Sequence, residues 1–302
     1  MRFLAIGECM AELAPTEMEG DLRLGFAGDT FNTAWYLARC APDVHVSYLT
    51  SVGDDATSNK MMALMRDSGI NDSFVQVAKG KTVGLYMITL DQGERSFSYW
   101  RGQSAAKTLA DDPVALQVAM DASDIIYFSG ITLAILSPEA RATLLATALN
   151  ARHAGKTIAF DPNLRPRLWS SDEEMKQTIM QAAEVCDIVL PSFEDEADWF
   201  GDASPQATAD RYLKAGAVTA VVKNGANSVF YAEGNSSSEV PVRPVETLVD
   251  STAAGDSFNA GIFARHAAGD TLANGIAYAC ALSRNVVQER GALVSFDQEN
   301  LS

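Results

Sequence analysis

Short apolar segments rich in β-branched and aromatic residues alternate along this chain with longer segments whose apolar residues recur at helical spacing. The apolar segments predict strands at 2–8, 44–52, 124–130, 156–161, 187–191 and 218–223. The segments between them predict helices at 31–40, 55–68, 138–153, 171–185, 205–215, 256–268 and 271–288, several preceded by Asp, Ser or Ser-Pro. This alternation indicates an α/β fold with a central, mostly parallel sheet flanked by helices on both faces. Ligands bind beyond the carboxyl ends of the strands in such sheets.

One region interrupts the alternation and predicts a hairpin. Thr82 to Leu90 and Glu94 to Arg101 are strand-like and are joined by Asp91-Gln92-Gly93, a hairpin signal. The hairpin segment at about 82–104 and the N-terminal segment at about 9–26 together predict a small β-sheet. This sheet is inserted in a single domain that spans 1–302. This sheet is a mobile lid, a structural extension or a dimer contact. A lid that is apolar on one side needs a cover, so we expect a homo-oligomer formed through it.

Composition excludes several classes of function. The formal net charge is −16, which repels nucleic acid and anionic membranes, so neither is an expected partner. The chain lacks the apolar run of about 18 residues that a membrane span needs. Its four cysteines show no Cys-x-x-Cys pair, as expected of reduced thiols in a cytoplasmic protein. An anionic substrate would require local basic groups, backbone amides and a divalent cation.

Common catalytic signatures are also missing from the sequence. Gly80-Lys81-Thr82 and Gly155-Lys156-Thr157 lack the earlier glycine of a P-loop and precede strands instead of opening helices. Gly7 after the first strand is not part of Gly-x-Gly-x-x-Gly, which argues against a dinucleotide-binding dehydrogenase. The sequence contains neither His-Glu-x-x-His nor Gly-x-Ser-x-Gly, so zinc-protease and serine-hydrolase chemistry is not indicated.

The segment Asp250 to Gly261 carries the strongest indication of chemistry. Its small residues Ala253, Ala254 and Gly255 precede a predicted helix, so their N–H groups can approach an anion at the positive end of the helix dipole. Asp256 at the helix start can accept a proton from a substrate hydroxyl while those amides stabilise a transferring phosphoryl group. The alternative is that Asp256 is an N-cap without catalytic function.

This segment resembles the C-terminal signature of the ribokinase-like (PfkB) carbohydrate kinases. The resemblance implies a ribokinase-like fold and makes Asp256 the catalytic base, with Ala253, Ala254 and Gly255 as the anion hole. A second motif of that family, the glycine-rich sugar-binding segment, resembles Gly28-Asp29-Thr30-Phe31-Asn32-Thr33-Ala34, more than 200 residues earlier. Two such motifs in the family's order make a chance match improbable.

Further segments resemble 2-keto-3-deoxygluconate kinases within this family. They are Gly84-Leu85-Tyr86, Ser98-Tyr99-Trp100-Arg101, the segment 129–138, and Asp161-Pro162-Asn163-Leu164-Arg165 with the residues to Trp169. This likeness implies ATP-dependent phosphorylation of 2-keto-3-deoxy-D-gluconate at its terminal hydroxyl, with Mg²⁺. The sugar would contact Gly28, Asp29, Thr30, Asn32, Tyr86, Tyr99, Arg101 and Arg165. Strand alternation places Tyr99 and Arg101 on one face, and guanidinium groups suit a carboxylate.

The resemblance also extends to the nucleotide side, with some departures. Lys223, Gly225 and Ala226 match the family's lysine/glycine turn, and Thr252 joins the anion hole. Ser192 and Asp195 stand where the family has Asn and Glu, and Asp195 or its neighbour Glu194 would reach Mg²⁺ through water. Cys280 replaces an adenine-side asparagine. Many members bind a monovalent cation such as K⁺, and Asp250, Thr252 and the 291–295 loop occupy the equivalent place.

Two alternatives remain open at this point. One is a kinase of the same family for fructose, ribose or an epimeric keto-deoxy acid, since epimers differ by the direction of one hydroxyl. The other is a sugar-binding regulator that has kept the fold without catalysis. The presence of Asp256 and of the small residues at 253–255 argues against the regulator.

Overall fold

The computed structural model describes residues 1–18, 20–91 and 94–298. The strands are β1 (Arg2–Ile6), β2 (Met10–Pro15), β3 (Leu22–Ala27), β4 (His45–Leu49), β5 (Ser51–Val52), β6 (Gln76–Val77), β7 (Leu85–Asp91), β8 (Glu94–Trp100), β9 (Ile125–Ser129), β10 (Thr157–Asp161), β11 (Ile188–Val189), β12 (Thr219–Val222), β13 (Val229–Glu233) and β14 (Ser236–Val240). The helices are α1 (Asp29–Cys40), α2 (Ala56–Asp67), α3 (Pro113–Asp121), α4 (Gly130–Ile135), α5 (Pro138–His153), α6 (Asp172–Val185), α7 (Phe193–Phe200), α8 (Pro205–Ala215), α9 (Ala254–Ala267) and α10 (Leu272–Val286).

The central sheet has the strand order β14-β13-β12-β11-β10-β9-β1-β4. Neighbours run parallel from β4 through β12, whereas β13 and β14 extend the sheet antiparallel. The prediction of a mostly parallel sheet is therefore confirmed. The antiparallel edge was not predicted: β14 reads Ser-Ser-Ser-Glu-Val and carries no apolar pattern, whereas the apolar run of β13, Val-Phe-Tyr-Ala-Glu, was overlooked.

Side chains of the central strands are buried on both faces of the sheet. Along β1, Phe3 and Ala5 belong to one apolar cluster, and Leu4 and Ile6 belong to another. The first cluster includes residues of α1, α9 and α10, and the second includes residues of α3 to α6 and α8. Burial on both faces explains why these strands are continuous apolar runs instead of alternating ones.

The helix starts follow from local chemistry. Side chains of Asp55, Ser137, Ser171 and Ser204 each accept a hydrogen bond from a first-turn N–H of the helix that follows. Helices α3, α4 and α7 were missed by the sequence analysis, and the latter two are short and begin close behind a strand. Within the described part of the chain, no helix combines the length and apolar character that crossing a membrane requires.

A separate four-stranded sheet, hereafter the lid sheet, has the order β3-β2-β7-β8. The prediction that the 9–26 and 82–104 segments form one small sheet is thus confirmed. Strands β7 and β8 are antiparallel and pair Tyr86 with Tyr99. Of the predicted turn, Gln92 and Gly93 lie outside the described residues.

The carboxyl ends of the central strands place chemistry-bearing residues along one edge. Strand β10 ends at Asp161, and Lys223 directly follows β12. Gly7 and Glu8 follow β1, beside the N-terminus of α1 that begins after Gly28. This edge, with the lid sheet beside it, forms the cleft described next.

Candidate active site

A cleft of about 540 Å³ opens at the carboxyl edge of the central sheet. Lid-sheet residues line one side, and the starts of α1 and α9 line another. Its lining comprises Met10, Ala27, Gly28, Asp29, Asn32, Tyr86, Phe97, Tyr99, Ile131, Asp161, Asn163, Arg165, Ser192, Asp195, Lys223, Ser251, Thr252, Ala253, Ala254, Gly255, Asp256 and Ala292. The fold therefore gathers the two distant motifs and the aromatic hairpin around one cavity.

Asp256 is the third residue of helix α9, because the helix begins at Ala254 and not at position 256 as predicted. The N-cap position belongs to Ala253, whose φ of 60° lies in the left-handed region. The hypothesis that Asp256 is the N-cap is therefore wrong. Asp256 instead points its carboxylate at α1, where Asn32 Nδ2 donates to Oδ2 at 2.8 Å. The left-handed backbone conformation of Ala253 costs conformational free energy, and such strain concentrates at functional sites.

Of the anion hole predicted at 253–255, Ala254 and Gly255 lie in the first turn of α9, and Ala253 is its N-cap. First-turn N–H groups have no acceptor within their own helix, so those of Gly255 and Asp256 can serve an anion. The Ala254 N–H donates to the Ser251 carbonyl at 3.2 Å, so this N–H group is less available to bind an anion. The N–H groups of Gly255 and Asp256 are therefore the better candidates for an anion site.

Burial raises the pKa of Asp256 to about 8, and the nearby charge of Asp29 adds to this effect. The hydrogen bond from Asn32 and the charge of Lys223 act in the opposite direction. The pKa of Asp29 is raised as well, mainly through burial. A carboxyl group with a pKa near neutrality is suited to proton transfer at cellular pH.

The glycine-rich segment at the start of α1 contributes polar side chains and a close backbone contact. A Cβ at Gly28 would lie 2.1 Å from the Glu8 carbonyl oxygen, so only glycine lets the two segments approach. Asp29 Oδ2 accepts a hydrogen bond of 2.7 Å from Asn163 Nδ2. Thr30 departs from the prediction. Its side chain is fully buried, its hydroxyl lies 2.9 Å from the Tyr48 hydroxyl, and it does not line the cleft.

The hairpin presents an aromatic wall to the cleft. The rings of Tyr86 and Tyr99 lie 5.9 Å apart between centroids, and Phe97 stacks on Tyr99 at 6.3 Å. Tyr86 is buried and its hydroxyl donates to Glu12, whereas Tyr99 is 55% exposed. Phe97 was not predicted as a site residue, although its position two residues before Tyr99 on the same strand places it on the same face.

The two predicted carboxylate-binding arginines occupy different environments. Arg165 lines the cleft, and its guanidinium lies 3.8 Å from the Asp195 carboxylate. Arg101 does not line the cleft; its guanidinium pairs with the buried carboxylate of Glu8. A Cβ on Gly84 would lie 2.6 Å from Glu8 Oε1 and 3.2 Å from Arg101 Cβ, so the glycine leaves room for this ion pair.

Only some of the residues predicted to bind the nucleotide line the cleft. Ser192, Lys223 and Thr252 line the cleft, and the Ser192 and Lys223 backbones form a parallel bridge. Gly225 and Ala226 lie in an exposed turn and are not part of the lining.

Cys280 lines a second cavity of about 560 Å³, together with Arg243 and Arg284. Helix α10 nevertheless reaches the start of α9, because Ser283 Oγ donates to the Ala254 carbonyl at 2.9 Å. Cys280 therefore lies one helical turn from a residue that touches the predicted anion hole.

Asp250 is buried and connects two segments of the predicted cation site. Its Oδ1 accepts a hydrogen bond of 2.7 Å from Thr252 Oγ1, and its Oδ2 accepts one of 2.8 Å from the Gly291 N–H. Asp250 itself does not line the cleft. It holds the loop that begins at Gly291 against the segment that leads into α9.

Three polar residues in or directly beneath the cleft were missed as site residues, namely Asp161, Asn163 and Asn259. Asp161 is the last residue of β10, and the rule that ligands bind at the carboxyl ends of parallel strands could have found it. Asn163 has a φ of 34°, a feature visible only in the backbone geometry. Asn259 is one helical turn after Asp256 and is fully buried. A polar residue in the first turns of an otherwise apolar helix was the sequence feature that could have identified it.

Comparison with known proteins gives a consistent result over the whole chain. A model described as pfkB family carbohydrate kinase matches residues 2–299. A 2-dehydro-3-deoxygluconokinase of Escherichia coli is 37% identical over 303 residues, covering 97% of each chain. A PfkB protein from Polaromonas sp. JS666 has a TM-score of 0.87 at 26% identity, covering 99% of this chain and 98% of that one.

A further solved structure, a candidate ribokinase II from Escherichia coli in complex with ATP and Mg²⁺, has a TM-score of 0.82 at 22% identity. It covers 100% of this chain and 95% of its own. Together these similarities confirm the predicted ribokinase-like fold, with its mostly parallel sheet between two layers of helices.

Proposed function

Since the chain belongs to the pfkB family of carbohydrate kinases, we propose that it uses ATP to phosphorylate 2-keto-3-deoxy-D-gluconate at the terminal hydroxyl. This substrate, also called 2-dehydro-3-deoxygluconate, is the one in the name of the Escherichia coli relative. The observation that carries the proposal is the contact of Asn32 with Asp256, which joins the sugar motif to the base. The product would be 2-keto-3-deoxy-6-phosphogluconate.

Asp256 acts as the general base in this proposal. Its carboxylate takes the proton of the terminal hydroxyl, whose oxygen forms a bond to the γ-phosphorus. The bond from that phosphorus to the β,γ-bridging oxygen breaks, and ADP leaves with the electron pair. The N–H groups at the start of α9 stabilise the charge on the transferring group. Orientation by Asp29 and Asn32 holds the hydroxyl within reach of the base.

The cleft has features that favour an acid sugar over a neutral one. Arg165 provides a guanidinium in a protein whose net charge is −16, and Tyr86 and Tyr99 supply flat contact surfaces. Arg101 would join Arg165 at the substrate carboxylate only by turning away from Glu8. Guanidinium groups bind carboxylates through paired hydrogen bonds, which neutral sugars cannot offer.

Mg²⁺ would neutralise charge on the phosphate oxygens when bound. Among the described residues, no group of three or more His, Cys, Asp or Glu side chains could hold a metal ion. Asp195 lines the cleft, and burial raises the pKa of its carboxyl group. This arrangement fits an ion that is held by phosphates, water and one carboxylate, which is the usual protein contribution to Mg²⁺ sites.

A monovalent cation such as K⁺ is proposed beside the anion hole, where Asp250 supplies negative charge next to Thr252 and Gly291. Turnover with potassium chloride should exceed turnover with choline chloride at equal ionic strength. Equal rates in the two salts would contradict the cation site.

Assembly through the lid sheet is also proposed. The sheet exposes Leu22, Leu24 and Trp100, the last by 57% of its surface. Exposed apolar side chains of this kind mark contact surfaces. Sedimentation at micromolar concentration should give at least a dimer, and a monomer would contradict this proposal.

A coupled assay of ADP release across a panel of sugars tests the substrate. The keto-deoxy acid should give a higher kcat/KM than ribose, fructose or adenosine, and its galactonate epimer belongs on the same panel. A higher kcat/KM for a neutral sugar would overturn the assignment. Arg165→Met should raise the KM for the sugar acid roughly ten- to a hundredfold, as expected for a lost charge-assisted bond. Arg167→Met, at an exposed position outside the cleft lining, is the matched control.

A further inference from the structure

Beneath Asp256, three polar side chains from different parts of the chain meet in a buried cluster. Lys223 Nζ donates to Asp161 Oδ2 at 2.8 Å and to Asn259 Oδ1 at 3.3 Å. Asn259 Nδ2 donates to the same Asp161 oxygen at 2.6 Å. The Asp161 carboxylate is 5% exposed and the Lys223 side chain 11%. The ammonium is thus held from two sides in a fixed position.

The position of this ammonium is next to the predicted anion hole. A Cβ built on Gly255 would lie 3.6 Å from Lys223 Nζ, and both residues line the cleft. Asn259 and Asp256 are three residues apart on α9 and therefore share a helix face. The cluster accordingly underlies the place where the phosphoryl group would pass between nucleotide and sugar.

A purely structural role explains the cluster poorly. Buried ion pairs contribute little net stability, because desolvation offsets the Coulomb attraction. The backbone next to it is strained as well, since Asn163 has a φ of 34° while its N–H donates to Asp161 Oδ1 at 3.0 Å. Strained residues and buried charges that face a cleft are typical of functional sites.

We propose that Asp161 and Asn259 are positioning residues that fix the Lys223 ammonium where it neutralises the transferring phosphoryl group. This inference rests on the proposed kinase function and adds two residues to it. Asp161 balances the lysine charge before the nucleotide arrives, and Asn259 orients the ammonium through its amide oxygen. Tyr127, whose hydroxyl accepts a hydrogen bond of 3.1 Å from Asn259 Nδ2, fixes the amide in turn.

The cluster also acts on the base electrostatically, which supplies a specific readout. The charged groups that act on Asp256 are Asp29, Asp161 and Lys223, and the phenols of Tyr36 and Tyr127 also interact with it. Asp161 raises the pKa of Asp256, whereas Lys223 lowers it. Removal of the Asp161 charge should therefore move the acid limb of the kcat/KM profile to lower pH. Removal of the Lys223 charge should move it to higher pH.

The test compares Lys223→Met, Lys223→Arg and Asp161→Asn with wild type. Lys223→Met should lower kcat roughly a hundredfold, as for loss of one transition-state donor, and should shift the acid limb to higher pH. Asp161→Asn should also lower kcat but shift the limb to lower pH. Lys223→Arg keeps the charge and changes its place, so kcat should fall while the limb stays. Lys156→Met is the matched control, because Lys156 Nζ donates to the Asp121 and Ser123 carbonyls and Lys156 does not line the cleft.

Calorimetric titration with a non-hydrolysable ATP analogue gives a readout that needs no sugar. Lys223→Met should weaken analogue binding at least tenfold, whereas Lys156→Met should not. Unchanged binding and kcat in Lys223→Met, or limbs that shift in the same direction in Lys223→Met and Asp161→Asn, would overturn the inference. A wild type that phosphorylates no sugar acid would overturn the proposed substrate alone, because the analogue titrations still test the lysine.

Discussion

Asn32 and Asp256, 224 residues apart in the chain, are joined by a hydrogen bond of 2.8 Å from Nδ2 to Oδ2. The bond attaches the start of α1 to the start of α9. Thr33 strengthens the junction, since its hydroxyl donates to the Asp256 carbonyl at 3.1 Å. These two bonds therefore attach the predicted sugar-binding segment to the predicted base through the two helix starts.

Replacement of Asp256 by Asn should abolish most turnover. The amide cannot take a proton from the substrate hydroxyl, so kcat should fall by about two to four orders of magnitude, the usual contribution of a general base. Sugar affinity, measured by calorimetry, should remain nearly unchanged because the shape of the site is kept. Normal turnover in this variant would remove Asp256 from its role and favour the non-catalytic regulator.

The same variant should be more stable than wild type at high pH. The pKa of Asp256 is about 8 when folded, above an unfolded value of about 3.9, so its contribution to stability is complete below pH 4. That contribution is lost as the pH rises toward 8, because the carboxyl group ionises in the unfolded chain over this range while the folded protein keeps it neutral. Thermal melts should show Asp256→Asn gaining over wild type at pH 8 and little at pH 4. A gain that is independent of pH would contradict the buried base.

The wild-type kcat/KM should increase with pH up to about 8, because the free enzyme's base must be ionised. Asn32→Ala removes a hydrogen bond that lowers this pKa, so the acid limb should move to higher pH by about one to two pH units, the equivalent of one charge-assisted bond. Asn150→Ala, at an exposed position on α5, is the control and should leave the profile unchanged. An unchanged limb in Asn32→Ala would argue against the contact.

Gly28→Ala should disrupt the junction between β1 and α1. Its Cβ would lie 2.1 Å from the Glu8 carbonyl, and relief of such overlap costs about 1–3 kcal/mol of the free energy of unfolding. The sugar KM should rise with it, since Gly28 lines the cleft. Gly102→Ala is the control, because a Cβ there meets nothing within 4 Å. Urea denaturation and steady-state kinetics compare the two variants, and equal stability would contradict the close approach.

Arg211→Met should destabilise the fold without changing the chemistry. Arg211 Nη2 lies 2.6 Å from Glu196 Oε2 and from Asp202 Oδ2, and Glu196 is fully buried. Loss of the cation leaves a buried carboxylate unpaired, at a cost of about 3–5 kcal/mol. Burial raises the pKa of Glu196 to about 7, so the loss should be greatest above that pH. Chemical denaturation at pH 5 and pH 8 measures the difference, with the exposed Arg167→Met as control.

Sequence patterns were sufficient for the fold class and the lid sheet, and they singled out Asp256 as the candidate base. Continuous apolar strands, helical periodicity and turn signals are local properties, so β1, β9, β10 and the hairpin of β7 and β8 were predictable. Asp256 was singled out by the resemblance of the segment 250–261 to a family signature, because small residues before a helix suit an anion site but are also compatible with a simple N-cap. Local patterns, however, place the helix start only within a few residues, and Ala253 proved to be the N-cap.

Which polar side chains meet depends on tertiary packing. Thr30 belongs to the glycine-rich segment yet faces Tyr48 in the core, and Arg101 faces Glu8 instead of the cleft. Asp161, Lys223 and Asn259 come from β10, the end of β12 and α9, and no sequence spacing relates them. Their contacts arise because parallel strands end at one edge of the sheet and α9 packs over that edge. Side-chain direction there depends on packing from distant segments, which a linear pattern does not contain.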